Sequence, residues 1–324
     1  MDCLEAVGMH FVRMPDDSLH QPHDKLFKAG FSDPVTAAAF LRDQLPPVVS
    51  GLIEWSNLKL QSGTFIDSQF RHTESDLLFS TTVSGKSCQL YLLFEHQSSP
   101  DPWLALRLLR YMVRIWEAHC QAHPGSSNLP AILPVVLVQN AEVWKIEPRL
   151  GALLDIPESI SVALQPYVPE FAFRICQLAE MDFESIRGTA AGVLILRTMK
   201  AERLAQLLHE SVWDESLLVQ VPRDIFEMVL RYILDAEIDK TAFEHRILEI
   251  SNPQTRANAM SLAQQYRQEG RQEGVWIGKI QVLQELIGEV VSDKSKLSSL
   301  SEIELEEQFK ELQLRYTKMF KNPG

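Results

Sequence analysis

Two carboxylates, Asp76 and Glu95, stand at the outer ends of two short apolar runs, Leu77 to Val83 and Gln89 to Phe94. The runs are rich in aromatic and branched residues and are separated by Ser84-Gly85-Lys86-Ser87, so they read as the strands of a β-hairpin. With Gly85 and Lys86 as the two turn residues, Asp76 falls directly opposite Glu95. Like charges so opposed destabilise a sheet by a few tenths to about 1 kcal/mol. A divalent cation reverses that sign: Mg²⁺ takes one or two protein carboxylates together with waters and a substrate phosphate. Gln97 lies two residues beyond Glu95, so strand alternation puts its amide on the same face. The competing reading is a pair of solvated strand ends, since a slip or bulge of one residue sends the two carboxylates to opposite faces.

Other groups carry weaker signals. Arg107, Arg110 and Arg114 fall at i, i+3 and i+7 and make one basic stripe on a helix, suited to backbone phosphates. The plain alternative is a solvated face opposite Leu106, Leu109, Val113 and Trp116. His119 and His123 have the i, i+4 spacing of a zinc pair, but Pro124 follows and an acidic third ligand is missing. The glycines form neither a phosphate loop nor a dinucleotide fingerprint. Cys3, Cys88, Cys120 and Cys176 are far apart without a CxxC pair, the pattern of reduced structural thiols.

The elements that must position these residues follow an α/β order. Lys25 to Leu45 reads as an opening helix. After the hairpin, Asp101 can cap a helix that Pro102 opens and that Trp103 to His119 continue. Ile132 to Val138 is an apolar run between Pro130 and Gln139-Asn140, the pattern of a strand buried on both faces. Asp182 to Leu208 then carries apolar residues at helical spacing. Together these predict a mixed sheet flanked by helices. From Ala257 the chain is helix-prone and contains the repeat Gln268-Glu269-Gly270-Arg271 followed by Gln272-Glu273-Gly274. Leu305, Phe309, Leu312, Tyr316 and Met319 recur at heptad spacing behind a Ser301/Glu304 capping box. Two heptads leave two roles open for this tail, pairing with a partner or packing back on the body.

At 324 residues and 45% hydrophobic content the chain can build a sizeable core, which excludes disorder throughout. Its net charge of −12 argues against general adhesion to nucleic acid or anionic membrane. That charge divides as −4 over residues 1–120, −8 over 121–254 and zero over 255–324. The longest apolar run, Ala190 to Leu196, is far short of the ~20 residues of a bilayer span. Met1 to Asp17 lacks the apolar core of a secretory signal, so a cytoplasmic location and no membrane partner are expected.

Several segments resemble the Rpn/YhgA-like putative transposases, also called recombination-promoting nucleases, of the PD-(D/E)XK nuclease superfamily. They are His23-Asp24-Lys25-Leu26-Phe27-Lys28, Gly63-Thr64-Phe65-Ile66-Asp67, Ser75-Asp76-Leu77-Leu78, Glu95-His96-Gln97-Ser98-Ser99-Pro100, the helix from Arg107 to Met112 with Trp116, and Leu133-Pro134-Val135-Val136-Leu137. Similarity is strongest over residues 23–145 and weaker to about 210, and the tail repeat also looks like the family's C-terminus. The resemblance implies a PD-(D/E)XK nuclease-like α/β domain over residues 21–210. A 1–20 extension precedes it; a helical region over 211–254 and a 255–324 tail suited to homo-oligomer formation follow. It implies a Mg²⁺-dependent DNA endonuclease, with Mn²⁺ as a substitute and DNA as partner. Asp76, Glu95 and the His96 carbonyl would hold the ion, and Asp24 on the first helix would complete the acidic set. Gln97 would orient the attacking water where the wider superfamily often has Lys, and Arg107, Arg110 and Arg114 would contact phosphates. A neutral amide can only donate or accept hydrogen bonds, so the metal must do most of the activation. The chain departs from the family's Tyr-His-Gly type turn after the last strand, having Val138-Gln139-Asn140, while Trp144 is kept. Two other readings compete: a nuclease-like body kept as a regulatory module that assembles through the tail, and a strand-transferring transposase. The short spacing from Asp76 to Glu95 fits the second poorly.

Overall fold

The sheet is organised around one tight turn. Ser84 and Gly85 both take positive φ, 51° and 74°, the signature of a type I′ hairpin whose twist matches that of the flanking strands. The two-residue turn is therefore Ser84-Gly85, one position earlier than Gly85-Lys86, because Gly adopts positive φ readily and fits the second centre. Glu54 clamps it, accepting from Thr82 Oγ1 at 2.6 Å, Asn57 Nδ2 at 2.8 Å and the Gly85 amide at 3.3 Å. These donors hold the Glu54 carboxyl below its ordinary range, the Thr82 hydroxyl contributing most.

The computed structural model describes residues 22–61, 76–95, 100–298 and 300–321, and the side chains of all of these except 93–95, 320 and 321. Five strands form one sheet in the order β1 (Lys59–Leu60), β2 (Leu77–Val83), β3 (Lys86–Glu95), β4 (Ala131–Val138) and β5 (Arg174–Gln177). The first three are antiparallel and the last three parallel. The fold is thus the expected mixed sheet flanked by helices.

The opening helix is two helices, α1 (Pro22–Phe31) and α2 (Pro34–Gln44). Pro34 cannot continue a helix from within, lacking the amide hydrogen, whereas it suits the first turn of a new one. Asp33 caps that turn, accepting from the amides of Val35 at 3.3 Å and Thr36 at 2.9 Å. A short α3 (Pro47–Ser50) precedes β1. Helix α4 (Leu104–Ala122) crosses from β3 to β4; Asp101 holds the turn before it, accepting from the Trp103 amide at 2.8 Å, and is not its cap. Helix α5 (Glu158–Leu164) precedes β5. The stretch expected as one helix from Asp182 to Leu208 breaks at Gly188, so that α6 spans Ala190–Arg203 behind the cap Thr189. Helices α7 (Glu215–Leu218), α8 (Arg223–Asp235) and α9 (Lys240–Glu249) follow.

β4 is buried on both faces, as its sequence predicts. Val135 and Leu137 join Leu77, Phe79, Leu90 and Leu92 in a core with α1, α2, α6 and α8. Val136 and Val138 join Tyr91 in a second core against Leu104, Leu108, Met112 and Ile115 of α4. That makes Leu108 and its neighbours the apolar face of α4. Leu106 and Val113, expected there, are exposed at 43% and 42%. Cys88 and Cys176 are buried, and burial pushes the Cys176 thiol up to about 12; Cys120 is exposed.

Contacts divide the described chain into two compact units, 22–263 and the tail from residue 264. Helix α10 (Pro253–Leu286) runs from one into the other and contains the whole Gln268 to Gly274 repeat. In the tail, α11 (Lys294–Ser298) and α12 (Glu302–Lys321) bury Leu297, Leu305 and Leu312 with Ile277 and Ile280 of α10. The heptad residues Leu305 and Leu312 thus pack within the tail's own unit. The capping box forms as expected: the Ser301 amide donates to Glu304 Oε2 at 2.8 Å, and the Glu304 amide donates to Ser301 Oγ at 3.3 Å. Among the described residues no helix is long and apolar enough to cross a membrane.

Replacing the α2 cap tests this account of the split opening helix. Asp33→Ala should lower unfolding stability by about 1 kcal/mol, read as a lower urea midpoint with an unchanged slope.

Candidate active site

Moving the hairpin turn by one residue moves every strand partner by two. Val83 pairs with Lys86 and Leu77 with Leu92. Continuing that ladder by one step sets position 76 across from 93, so Asp76 does not oppose Glu95 directly. The expected register is corrected to a diagonal one. Because the shift is even, positions 76, 91, 93 and 95 remain on one side of the sheet, the side that α4 covers. Diagonal neighbours across an antiparallel pair are about 7–8 Å apart, a wider span than direct opposition provides. Glu95 ends β3 with its backbone paired to Val138 of β4. β3 is also the strand across which the sheet changes from antiparallel to parallel, with β2 on one edge and β4 on the other. The side chain of Glu95, and all of His96 and Gln97, lie outside the described residues.

Asp76 is held by a partner that sequence reasoning missed. Tyr91 donates its hydroxyl to Asp76 Oδ2 at 2.7 Å. Tyr91 is 1% exposed, its ring 5.5 Å from that of Tyr111 on α4. Burial pushes the Tyr91 phenol far above its ordinary range, with the Asp76 charge and hydrogen bond adding to it. The phenol therefore stays protonated and serves Asp76 as a donor. The signal for it was present in the register: Tyr91 faces Leu78, and Asp76 is two residues before Leu78 on the same side. It was masked because Tyr91 sits in an apolar run between Leu90 and Leu92 and reads as core.

The arginine stripe lies on the same layer. Arg107 is half-buried, 3.5 Å from Asp101, and close enough to Tyr91 for its charge to favour the phenolate slightly. Arg110 and Arg114 are exposed, and Arg114 is 3.1 Å from Glu117. His119 and His123 stack with ring centroids 4.4 Å apart, and His123 Nδ1 lies 3.1 Å from the His119 carbonyl oxygen. Among the described residues no three His, Cys, Asp or Glu side chains gather into a metal-ligating group.

Asp24 is in the first turn of α1 and 1% exposed. Its neighbour His23 has Nδ1 2.6 Å from Tyr232 Oη of α8. Tyr232 Oη in turn lies 3.2 Å from Gln139 Nε2, which also donates to the Met199 carbonyl at 2.9 Å and faces Glu202 Oε2 at 3.3 Å. The departure at Val138-Gln139-Asn140 thus has a structural content. Gln139 is fully buried and ties the end of β4 to α6 and α8. Gln177 makes a similar clamp on the retained Trp144, accepting from its amide at 2.5 Å and donating to its carbonyl at 3.2 Å.

Burial raises the Glu202 carboxyl, against a smaller opposing effect of Arg203. The folded protein therefore holds that proton more tightly than the unfolded chain, and ionisation of Glu202 weakens the fold as pH rises through and above the ordinary glutamate range near ~4.3. Glu202→Gln should accordingly raise the melting temperature at pH 7 and lose that advantage towards pH 4. A difference that is the same at both values would contradict the assignment.

The family described as "Putative transposase, YhgA-like" matches residues 21–224. The recombination-promoting nuclease RpnA of Escherichia coli (strain K12) is 30% identical over 290 residues, covering 88% of this chain and 96% of the relative. RpnD of Escherichia coli O157:H7, of the same description, is 27% identical over 249 residues, 75% of this chain and 93% of its own. A relative from strain K12 named as an inactive recombination-promoting nuclease-like protein, RpnE, is 27% identical over 276 residues, 81% of this chain and 86% of its own. No solved structure gives a significant match.

Proposed function

Since the chain belongs to the YhgA-like putative transposase family, we propose that it is a metal-dependent DNA endonuclease acting in recombination. The observation that supports this reading is the β2–β3 register, which puts position 76 on the same side of the sheet as Tyr91, the side to which strand alternation also assigns position 95 at the end of β3. Carboxylate oxygens are the hard donors that Mg²⁺ or Mn²⁺ takes, and two of them with water and a phosphate suit its coordination. Asp76 and Glu95 are the proposed ligands, with the His96 carbonyl beside them and Asp24 as a further acidic group. When bound, the ion would polarise the scissile phosphate and lower the pKa of a coordinated water.

The protein's own groups do the rest. Tyr91 orients the Asp76 carboxylate. Gln97, two residues past Glu95, offers an amide to align the attacking water, and it carries no charge to compete with the cation. Arg107, Arg110 and Arg114 present positive charge along α4 for the backbone phosphates flanking the cut. Arg107 is the innermost of these, being half-buried and near Tyr91.

Cleavage of plasmid DNA with Mg²⁺ tests the reading. Asp76→Ala and Glu95→Ala should each reduce the rate by at least about 100-fold, in line with loss of a metal ligand. EDTA should abolish activity and Mn²⁺ restore it. Activity that survives the double substitution would overturn the assignment. The inactive-named relative at 27% identity favours a second reading, a nuclease-like body with a regulatory role; wild-type protein that binds neither Mg²⁺ nor Mn²⁺ would support it.

A further inference from the structure

We propose that Tyr91 is a positioning residue for the metal-binding carboxylate of Asp76, setting cation affinity through a hydrogen bond from its buried phenol. The proposal rests on the reading of Asp76 as a ligand and adds a residue that ligand spacing alone does not mark. Three observations carry it. The Tyr91 hydroxyl lies 2.7 Å from Asp76 Oδ2, the length of a charge-assisted hydrogen bond. The tyrosine is 1% exposed, so its hydroxyl has no bulk water to turn to. Its ring is fixed between β4 and α4, in the core that contains Val136, Val138, Leu108 and Met112, with Tyr111 5.5 Å away.

The physical consequence is preorganisation. Asp76 precedes the first residue of β2, at the margin of the sheet, and its side chain must be held in one rotamer to present a fixed oxygen to a cation. The phenol commits Oδ2 and so fixes the plane of the carboxylate before any cation arrives. The donor also draws charge from the carboxylate, which on its own weakens a ligand. The orienting effect dominates where the donor is rigid, because the rotamer freedom of Asp76 is then lost on folding and not on binding. Groups that hydrogen-bond to metal ligands typically change affinity by about 10- to 100-fold when removed.

Tyr91→Phe keeps the ring and removes the hydroxyl. Mn²⁺ titrated into the DNA-free protein by calorimetry should bind the wild type, bind Tyr91→Phe about 10- to 100-fold more weakly, and fail to bind Asp76→Ala. In the cleavage assay the Mg²⁺ concentration for half-maximal rate should rise by the same factor, while the rate at saturating Mg²⁺ stays within about threefold. A role in core packing alone would lower the melting temperature without moving the metal dependence. Unchanged or tighter Mn²⁺ binding by Tyr91→Phe, with binding lost in Asp76→Ala, overturns the proposal and leaves the metal reading intact. A wild type that does not bind Mn²⁺ overturns both. Should Tyr91→Phe fold poorly, tyrosine ¹³Cζ resonances of the wild type and Asp76→Ala supply the test: one resonance should shift on adding Mg²⁺ to the wild type and not respond in Asp76→Ala, and no shift in either overturns the proposal.

Discussion

The architecture depends on the register of β3. That strand pairs antiparallel with β2 through a two-residue turn and parallel with β4 from Cys88 to Glu95. Side chains alternate with period two, so an odd slip anywhere along β3 would exchange the residues facing α4 with those facing α1 and α6. It would send Tyr91 into the larger core and bring Leu90 and Leu92 beneath α4. Two features oppose such a slip. Ser84 and Gly85 occupy positive φ, with Glu54 bonded to both sides of the turn. Val135 and Leu137 on one face, and Val136 and Val138 on the other, are buried in separate cores, so β4 has no solvated face to turn outward.

Charge is spread unevenly along this acidic chain. The excess negative charge is concentrated over residues 121–254, beyond the hairpin and α4. Among the described residues, Arg107 is near Tyr91, with Arg110 and Arg114 further along α4. Asp101 and Glu117 each lie within ion-pair distance of one arginine, at 3.5 and 3.1 Å. The Arg114–Glu117 pair is exposed, so it contributes little to stability and is strongly screened by salt, whereas the Arg107–Asp101 pair is partly buried.

Much of this was legible in the sequence where one physical signal acted alone. β2 was bounded correctly by its apolar run, and β4 by a run apolar at every position, the mark of burial on both faces. The Ser301/Glu304 box was legible because its two hydrogen bonds are local. Errors arose where two signals competed. Helical periodicity across residues 25–45 outweighed Pro34, and helical spacing across 182–208 outweighed Gly188, although each marks a break. The hairpin turn was misplaced because Gly85 can fill either central position, and Glu54, which clamps that turn, is thirty-one residues away in the chain. Tyr91 and Gln139 were illegible for a different reason. Each is a polar residue in or next to an apolar strand, and its partners, Asp76 for one and Met199 and Tyr232 for the other, are fixed only by tertiary packing.

Overall likeness does not decide activity within this family. Relatives named as nucleases and one named as inactive match the chain at 27 to 30% identity over most of its length. A fold can persist while chemistry is lost, because the two rest on different residues. Here the hydrophobic contacts that hold β3 and β4 between two layers involve dozens of side chains, and each tolerates conservative exchange. The proposed chemistry rests on a handful: the carboxylates at positions 76 and 95, the phenol that orients one of them, and the amide at 97. Loss of the Asp76 carboxylate, or of the Tyr91 hydroxyl with its ring kept, removes no apolar side chain from the cores of β3 and β4. It follows that the informative comparison between active and inactive members is local. A chain that keeps the buried phenol and its carboxylate partner retains a constraint that core packing alone does not require.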